Sequence, residues 1–279
     1  MRNWAKAMML TASAATGLVA GLLGAARAEV TLPPAVIEGL AGAEVAFLGE
    51  VHDNAQAHLA QAAALRAAAP KAVVFEMLSP EQAARLTPEA RGDVAALGDV
   101  LGWEEAGWPD FTIYAPIFAA LGEARAYGAA VPREAARGVM QTGIAAAFGT
   151  EAVRYGLDQP LGAQEQAARE TFQMEAHCNA LPEEMLPVMV DIQRYRDAAL
   201  ARAVAQALQD TGGPVAVITG NGHARRDWGA PVYVARALPE AVIFTLGVGE
   251  PGGPEGRFDA VIEVPAAERE DPCAAFDKG

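Results

Sequence analysis

Apolar residues along this chain gather in six short runs, and some of the runs show no polar alternation. Val45-Ala46-Phe47-Leu48 and Val215-Ala216-Val217-Ile218 are apolar throughout. A strand with one wet face alternates between apolar and polar residues. A strand covered on both faces does not, and continuous runs of this kind belong to parallel sheets held between helical layers. Strands are predicted at 44–49, 71–76, 128–132, 215–219, 241–246 and 258–264. Between the first two, Ala55 to Ala69 is built almost wholly from strong helix formers, with Asp53 or Asn54 placed to cap it and Pro70 to stop it. Strand, helix and strand in this order make a βαβ unit with parallel strands. From about 79 to 210 the pattern turns helical, with one weak strand and many of the aromatic residues, and this insert reads as a helical lid region over the sheet. The predicted fold class is α/β, a layered sandwich with a largely parallel central sheet, forming a single domain over 29–279. Gly247 to Arg257 reads as a surface loop.

The first 28 residues bear on the chemistry available. Arg2 and Lys6 precede an apolar, small-residue stretch from Ala7 to Ala26, closed by Ala26-Arg27-Ala28, so a secretory signal peptide cleaved after Ala28 is expected. No cysteine follows that point to carry a lipid, and no later stretch approaches about 18 continuous apolar residues. The mature protein is therefore expected in the periplasm without stable membrane insertion. Acidic residues number 35 against 21 basic ones, a net charge of −14 that becomes −17 once Arg2, Lys6 and Arg27 are removed. So acidic a chain is a poor partner for nucleic acid. Cys178 and Cys273 are expected to pair in an oxidising compartment. Their spacing suits neither c-type haem attachment nor a thiolate zinc site.

Both continuous runs end in the form G-x-x-H: Gly49-Glu50-Val51-His52 and Gly220-Asn221-Gly222-His223. Ligands of open α/β sheets collect at the carboxyl ends of the strands, so the two histidines are expected to converge. Glu50 lies two residues before His52, and Glu76 ends the neighbouring run Val73-Val74-Phe75. An imidazole oriented by a carboxylate is the unit of general-base catalysis, and equally of a metal site with its supporting shell. Glu50, His52, Glu76 and His223 are the candidate catalytic residues, and His52 and His223 the candidate ligands of a divalent metal. Taken singly, each acid is as readily a helix cap or an ion-pair partner. His58 and His177 read as ordinary polar helix residues. No Gly-x-Ser-x-Gly elbow is present, so covalent serine catalysis is not expected.

On Leu48-Gly49-Glu50-Val51-His52-Asp53-Asn54, Phe75-Glu76-Met77, Pro132-Arg133-Glu134, Gln193-Arg194-Tyr195-Arg196-Asp197-Ala198 and Gly220-Asn221-Gly222-His223-Ala224-Arg225-Arg226-Asp227, the chain resembles the ChaN-like haem-binding proteins, relatives of the TIKI and TraB proteins and of erythromycin esterases. The resemblance implies an α/β sandwich, a periplasmic or surface location, and haem held between protomers of a homodimer with tyrosine on the iron. No motif marks that tyrosine, and Tyr155 and Tyr195 are the candidates. Arg133, Arg225 and Arg226 are cations available for the propionates. In the TIKI-like and esterase branches, the positions of Glu50, His52, Glu76 and His223 would serve hydrolysis instead. The expectation is a periplasmic haem-binding protein of an iron-acquisition system, with a metal-assisted or histidine-based hydrolase as the alternative.

Overall fold

A computed structural model of the protein describes residues 30–275. The expected signal peptide lies outside them. The apolar runs form β1 (Val45–Leu48), β2 (Ala72–Phe75), β3 (Arg125–Gly128), β4 (Val215–Ile218), β5 (Ile243–Gly249) and β6 (Ala260–Glu263). They make one sheet in the order β3-β2-β4-β1-β5-β6, and every neighbouring pair is parallel.

The side-chain period of two divides each central strand between two layers. Ala46, Leu48, Val73, Phe75 and Ile218 pack with the helices Pro34–Gly42, Ala55–Ala68 and Phe111–Ala119 on one face. Val45, Phe47, Val74, Val215 and Val217 lie under the helices Leu186–Thr211 and Ala230–Ala237 on the other. With both faces covered, β1, β2 and β4 are buried along their whole length. The helical material between β2 and β4 serves both layers. Its first part brings Trp103, Tyr114 and Phe118 into one core, and its second brings Phe148, Tyr155 and Tyr195 into the other. The helix Ala55–Ala68 starts as its sequence predicts: Asn54 Oδ1 accepts from the Gln56 amide at 2.9 Å and from the Ala57 amide at 3.2 Å.

Two strands differ from their predicted positions: β5 runs on to Gly249, so that Gly247, Val248 and Gly249, expected to open a surface loop, are buried strand, and β3 lies upstream of its expected range. The apolar residues 129–131 suggested 128–132, but β3 ends at Gly128. β3 is an edge strand paired only with β2, so one side stays wet and the strand accommodates Arg125 and Tyr127. The turn leaving β2 crosses Gly128 so closely that a Cβ there would lie 2.1 Å from the Ser79 carbonyl oxygen.

Cys178, just past the helix Ala163–Ala176, is disulfide-bonded to Cys273, 95 residues on in the C-terminal tail. Closing a loop of this length removes roughly 4–5 kcal/mol of unfolded-chain entropy on the chain-entropy model. Thiol titration of the denatured, unreduced protein is expected to find no free thiol. Two thiols per chain would contradict the pairing.

Candidate functional site

β1 delivers Glu50 into a closed pocket. The residue is 2 % exposed, and its Oε1 lies 2.6 Å from His52 Nδ1 and 3.1 Å from the Tyr114 hydroxyl. The same hydroxyl is 3.1 Å from the His52 carbonyl oxygen, so its single proton serves both acceptors. Buried His58, against the Tyr114 ring, brings Nε2 to 3.0 Å from Glu50 Oε2, off the direction of a good hydrogen bond. Burial alone would raise the Glu50 pKa, but the contacts with His52 and His58 outweigh it and hold it at about 2. His52 faces outward, with 38 % of its side chain exposed and Trp108 beside the ring. Burial would lower its pKa, whereas the hydrogen bond and charge of Glu50 raise it to about 9.

β4 and β2 build the other half. Glu76 Oε2 accepts from the Thr219 hydroxyl at 2.5 Å and the Gly220 amide at 2.9 Å. Its Oε1 is 3.6 Å from His223 Nε2, and His223 Nδ1 is 2.7 Å from Asp197 Oδ1 on the helix Leu186–Thr211. Despite burial, the charges of Glu76 and Asp197 raise the His223 pKa. Burial opposes ionisation of Glu76, but His223, His52 and the two hydrogen bonds lower its pKa overall. The halves meet at Gly220, where a Cβ would lie 2.9 Å from His52 Nε2. Glu50, His52, Glu76 and His223 therefore assemble at one end of the sheet.

In both pairs a carboxylate occupies Nδ1, so only Nε2 is available, and the environment favours a proton there. A protonated imidazole donates hydrogen bonds. Once that proton is lost, an imidazole backed by a carboxylate is a stronger base and ligand at Nε2. The described residues contain no group of three His, Cys, Asp or Glu side chains arranged to hold a metal ion.

The cofactor candidates lie elsewhere and are not brought together. Tyr195, 8 % exposed, lines an open groove of about 490 Å³ along β3, with Arg125, Tyr127, Val131, Pro132 and Arg202 among the other lining residues. Tyr155 is fully enclosed and its hydroxyl has no hydrogen-bond partner, so it does not reach this groove. Arg133 is exposed and follows the groove residue Pro132. Arg225 differs from its expected part: its guanidinium is buried, held by Asp227 through two 2.8 Å hydrogen bonds from Nε and Nη2, and stacked on Trp228. Sequence reasoning gave Tyr114 and Asp197 no part in the site, and it read as an ordinary polar helix residue the His58 that is buried against Glu50. Asp197 carried a signal, since it sits within the buried stripe Tyr195, Ala198 and Ala199 of its helix, where an unpaired acid would be costly.

A parallel sheet with paired acids and histidines at its carboxyl ends defines an α/β ligand-binding class. The model of the haem-binding uptake family of the Tiki superfamily, ChaN, matches residues 36–234, and the chain belongs to that family. The fold is similar to that in the structure of cofacial heme binding to ChaN of Campylobacter jejuni, with TM-score 0.61, 19% sequence identity, and coverage of 83% of this chain and 91% of that one. A Bacillus cereus protein matches with TM-score 0.39 and 13% identity over 84% of this chain and 73% of its own. No curated protein matches in sequence.

The His52–Glu50 pair has a defined pH signature. Because the folded pKa of His52 lies above its unfolded value, its contribution to stability is complete below about pH 6.5 and is lost as pH rises through about 9. An NMR titration of the native protein should place the His52 midpoint near 9. In Glu50→Gln the midpoint should fall by more than a unit. A His52 midpoint at the ordinary value in the native protein would contradict the pairing.

Proposed function

We propose that this protein binds haem in the groove beside β3, with Tyr195 as the iron ligand. Tyr195 carries the reading. Tyr195 stands in the wall of a groove lined largely by Ala, Val and Pro. Bound haem brings ferric iron, an apolar plane and two anionic propionates. A phenolate is a hard anionic donor suited to ferric iron, and the small apolar side chains suit the plane. Arg125 and Arg202, with side chains 64% and 44% exposed, are cations for the propionates. Their present partners are Asp210 at 3.5 Å and Glu151 at 3.9 Å. Exposed pairs of this kind contribute about 0–1 kcal/mol, so exchanging a carboxylate for a propionate costs little.

The strand-end cleft fits haem less well. Glu50, Glu76 and Asp197 surround its histidines, which works against propionates. Family membership supports a role in haem uptake. The periplasmic location rests on the leader pattern of residues 1–28 and on the disulfide. The groove is open on its outer side, where a second protomer could enclose the ligand.

Haemin titration followed by visible spectroscopy tests this assignment. A Soret shift saturating at a defined stoichiometry is expected, with a high-spin charge-transfer band. Tyr195→Phe should abolish that band and weaken binding by at least about tenfold, or roughly 1.4 kcal/mol, while Tyr155→Phe leaves both unchanged. Absence of saturable binding would overturn the proposal. So would an unaltered Tyr195→Phe spectrum, or a low-spin bis-histidine spectrum lost in His52→Ala.

A further inference from the structure

The C-terminal tail is fastened to the loop that carries His52. Beyond β6, the Val264 amide bonds to the Gly249 carbonyl at 2.8 Å, and the Pro265 carbonyl accepts from Asn54 Nδ2 at 2.9 Å. The Ala267 amide then donates to Glu250 Oε1 at 3.0 Å. Arg269 bridges two loops, with Nε 2.7 Å from Asp53 Oδ2 and Nη1 3.0 Å from Glu250 Oε2. Four residues later the tail ends its run in the Cys178–Cys273 bond. The tail thus starts at one end of the sheet, crosses the loops after β5 and β1, and finishes on the turn after the helix Ala163–Ala176.

Asn54 shows what this fastening does. Its Oδ1 caps the helix Ala55–Ala68, while its Nδ2 is held by Pro265 and by Glu250 at 2.9 Å. The neighbouring Asp53 is held by Arg269. Both flanking residues on the helix side of His52 are therefore fixed by contacts that depend on the tail or on the loop it grips. Most side chains of 265–271 are exposed, and exposed ion pairs of this kind contribute only about 0–1 kcal/mol each. A chain terminus with so little hold frays unless it is tied down. The disulfide ties it, keeping Arg269 at high local concentration beside Asp53 and Glu250.

We propose that residues 264–273 form a redox-controlled clasp on the His52 loop, closed while Cys178 and Cys273 are joined and released when they are reduced. In the reducing step a dithiol donor supplies two electrons and two protons. The S–S bond breaks, two cysteine thiols form, and the donor closes to its own disulfide. Both cysteines are partly exposed, so a small dithiol can reach them. Release leaves Glu50, His58 and Tyr114 in the core and loosens only residues 51–54 and the tail, which changes access to His52 and to the strand-end cleft. The inference is independent of whether haem binds.

Hydrogen exchange of the full protein tests it, read at peptides covering 49–56 and 215–218, with carbethoxylation of His52 by diethylpyrocarbonate as a second measure. The Asn54 amide, bonded to the Val51 carbonyl at 2.9 Å, is the sensitive reporter. After reduction with dithiothreitol and alkylation, exchange at 51–54 and modification of His52 should rise about tenfold, with β4 unchanged. Equal rates in the oxidised and reduced proteins would overturn the proposal. If reduction loosens β4 as well, Arg269→Ala with the disulfide intact decides. Faster exchange confined to 51–54 in that variant supports the clasp, and unchanged exchange there overturns it.

Discussion

The sheet is parallel throughout and covered on both faces, and this constraint determines where chemistry can occur. No polar side chain fits on β1, β2 or β4, so polar groups begin at the first residue beyond each strand: Gly49-Glu50, Glu76 and Thr219-Gly220. Every neighbouring pair is parallel, so all strands point one way and these ends lie at a single edge. Groups distant in sequence meet there because no other place is open to them. Glu50 shows the consequence most clearly. A buried carboxylate is tolerated only when its charge is met from several directions, and His52, His58 and Tyr114 approach it from a loop and two helices.

The lateral edge of the sheet offers a second and different opening. β3 has no neighbour on its outer side, and the helix Leu186–Thr211 and residues Pro80 and Ala84 wall the space beside it. The two openings differ in electrostatic character. At the strand ends, carboxylates hold imidazoles toward their charged form, giving a buried, acid-rich polar network. Beside β3, small apolar side chains, a phenol and two exposed arginines held only by weak surface ion pairs line the space. A flat, dianionic, iron-bearing ligand complements the second and competes with the network of the first.

The sequence disclosed the strands that are buried on both faces, because continuous apolar runs mark them without reference to tertiary structure. β3 was misplaced by three residues because an edge strand lacks that mark, and its polar residues resemble loop. Glu50, His52, Glu76 and His223 were legible from their position after apolar runs. Their partners were not. Tyr114 lies 64 residues from Glu50, and Asp197 lies 26 residues from His223 on a helix that also carries plausible surface charges. Only the crossing of that helix over the sheet brings Asp197 inward. Arg225 misled for the opposite reason, since its partner Asp227 is two residues away and occupies it locally.

The division between a haem groove and a separate polar cleft is tested most directly by locating the iron. Crystals grown with haemin, measured on both sides of the iron absorption edge, give an anomalous map that marks the metal without reference to any fitted coordinates. The account predicts one strong peak within bonding distance of the Tyr195 hydroxyl, in the groove beside β3. A peak between His52 and His223, with the groove empty, would contradict it.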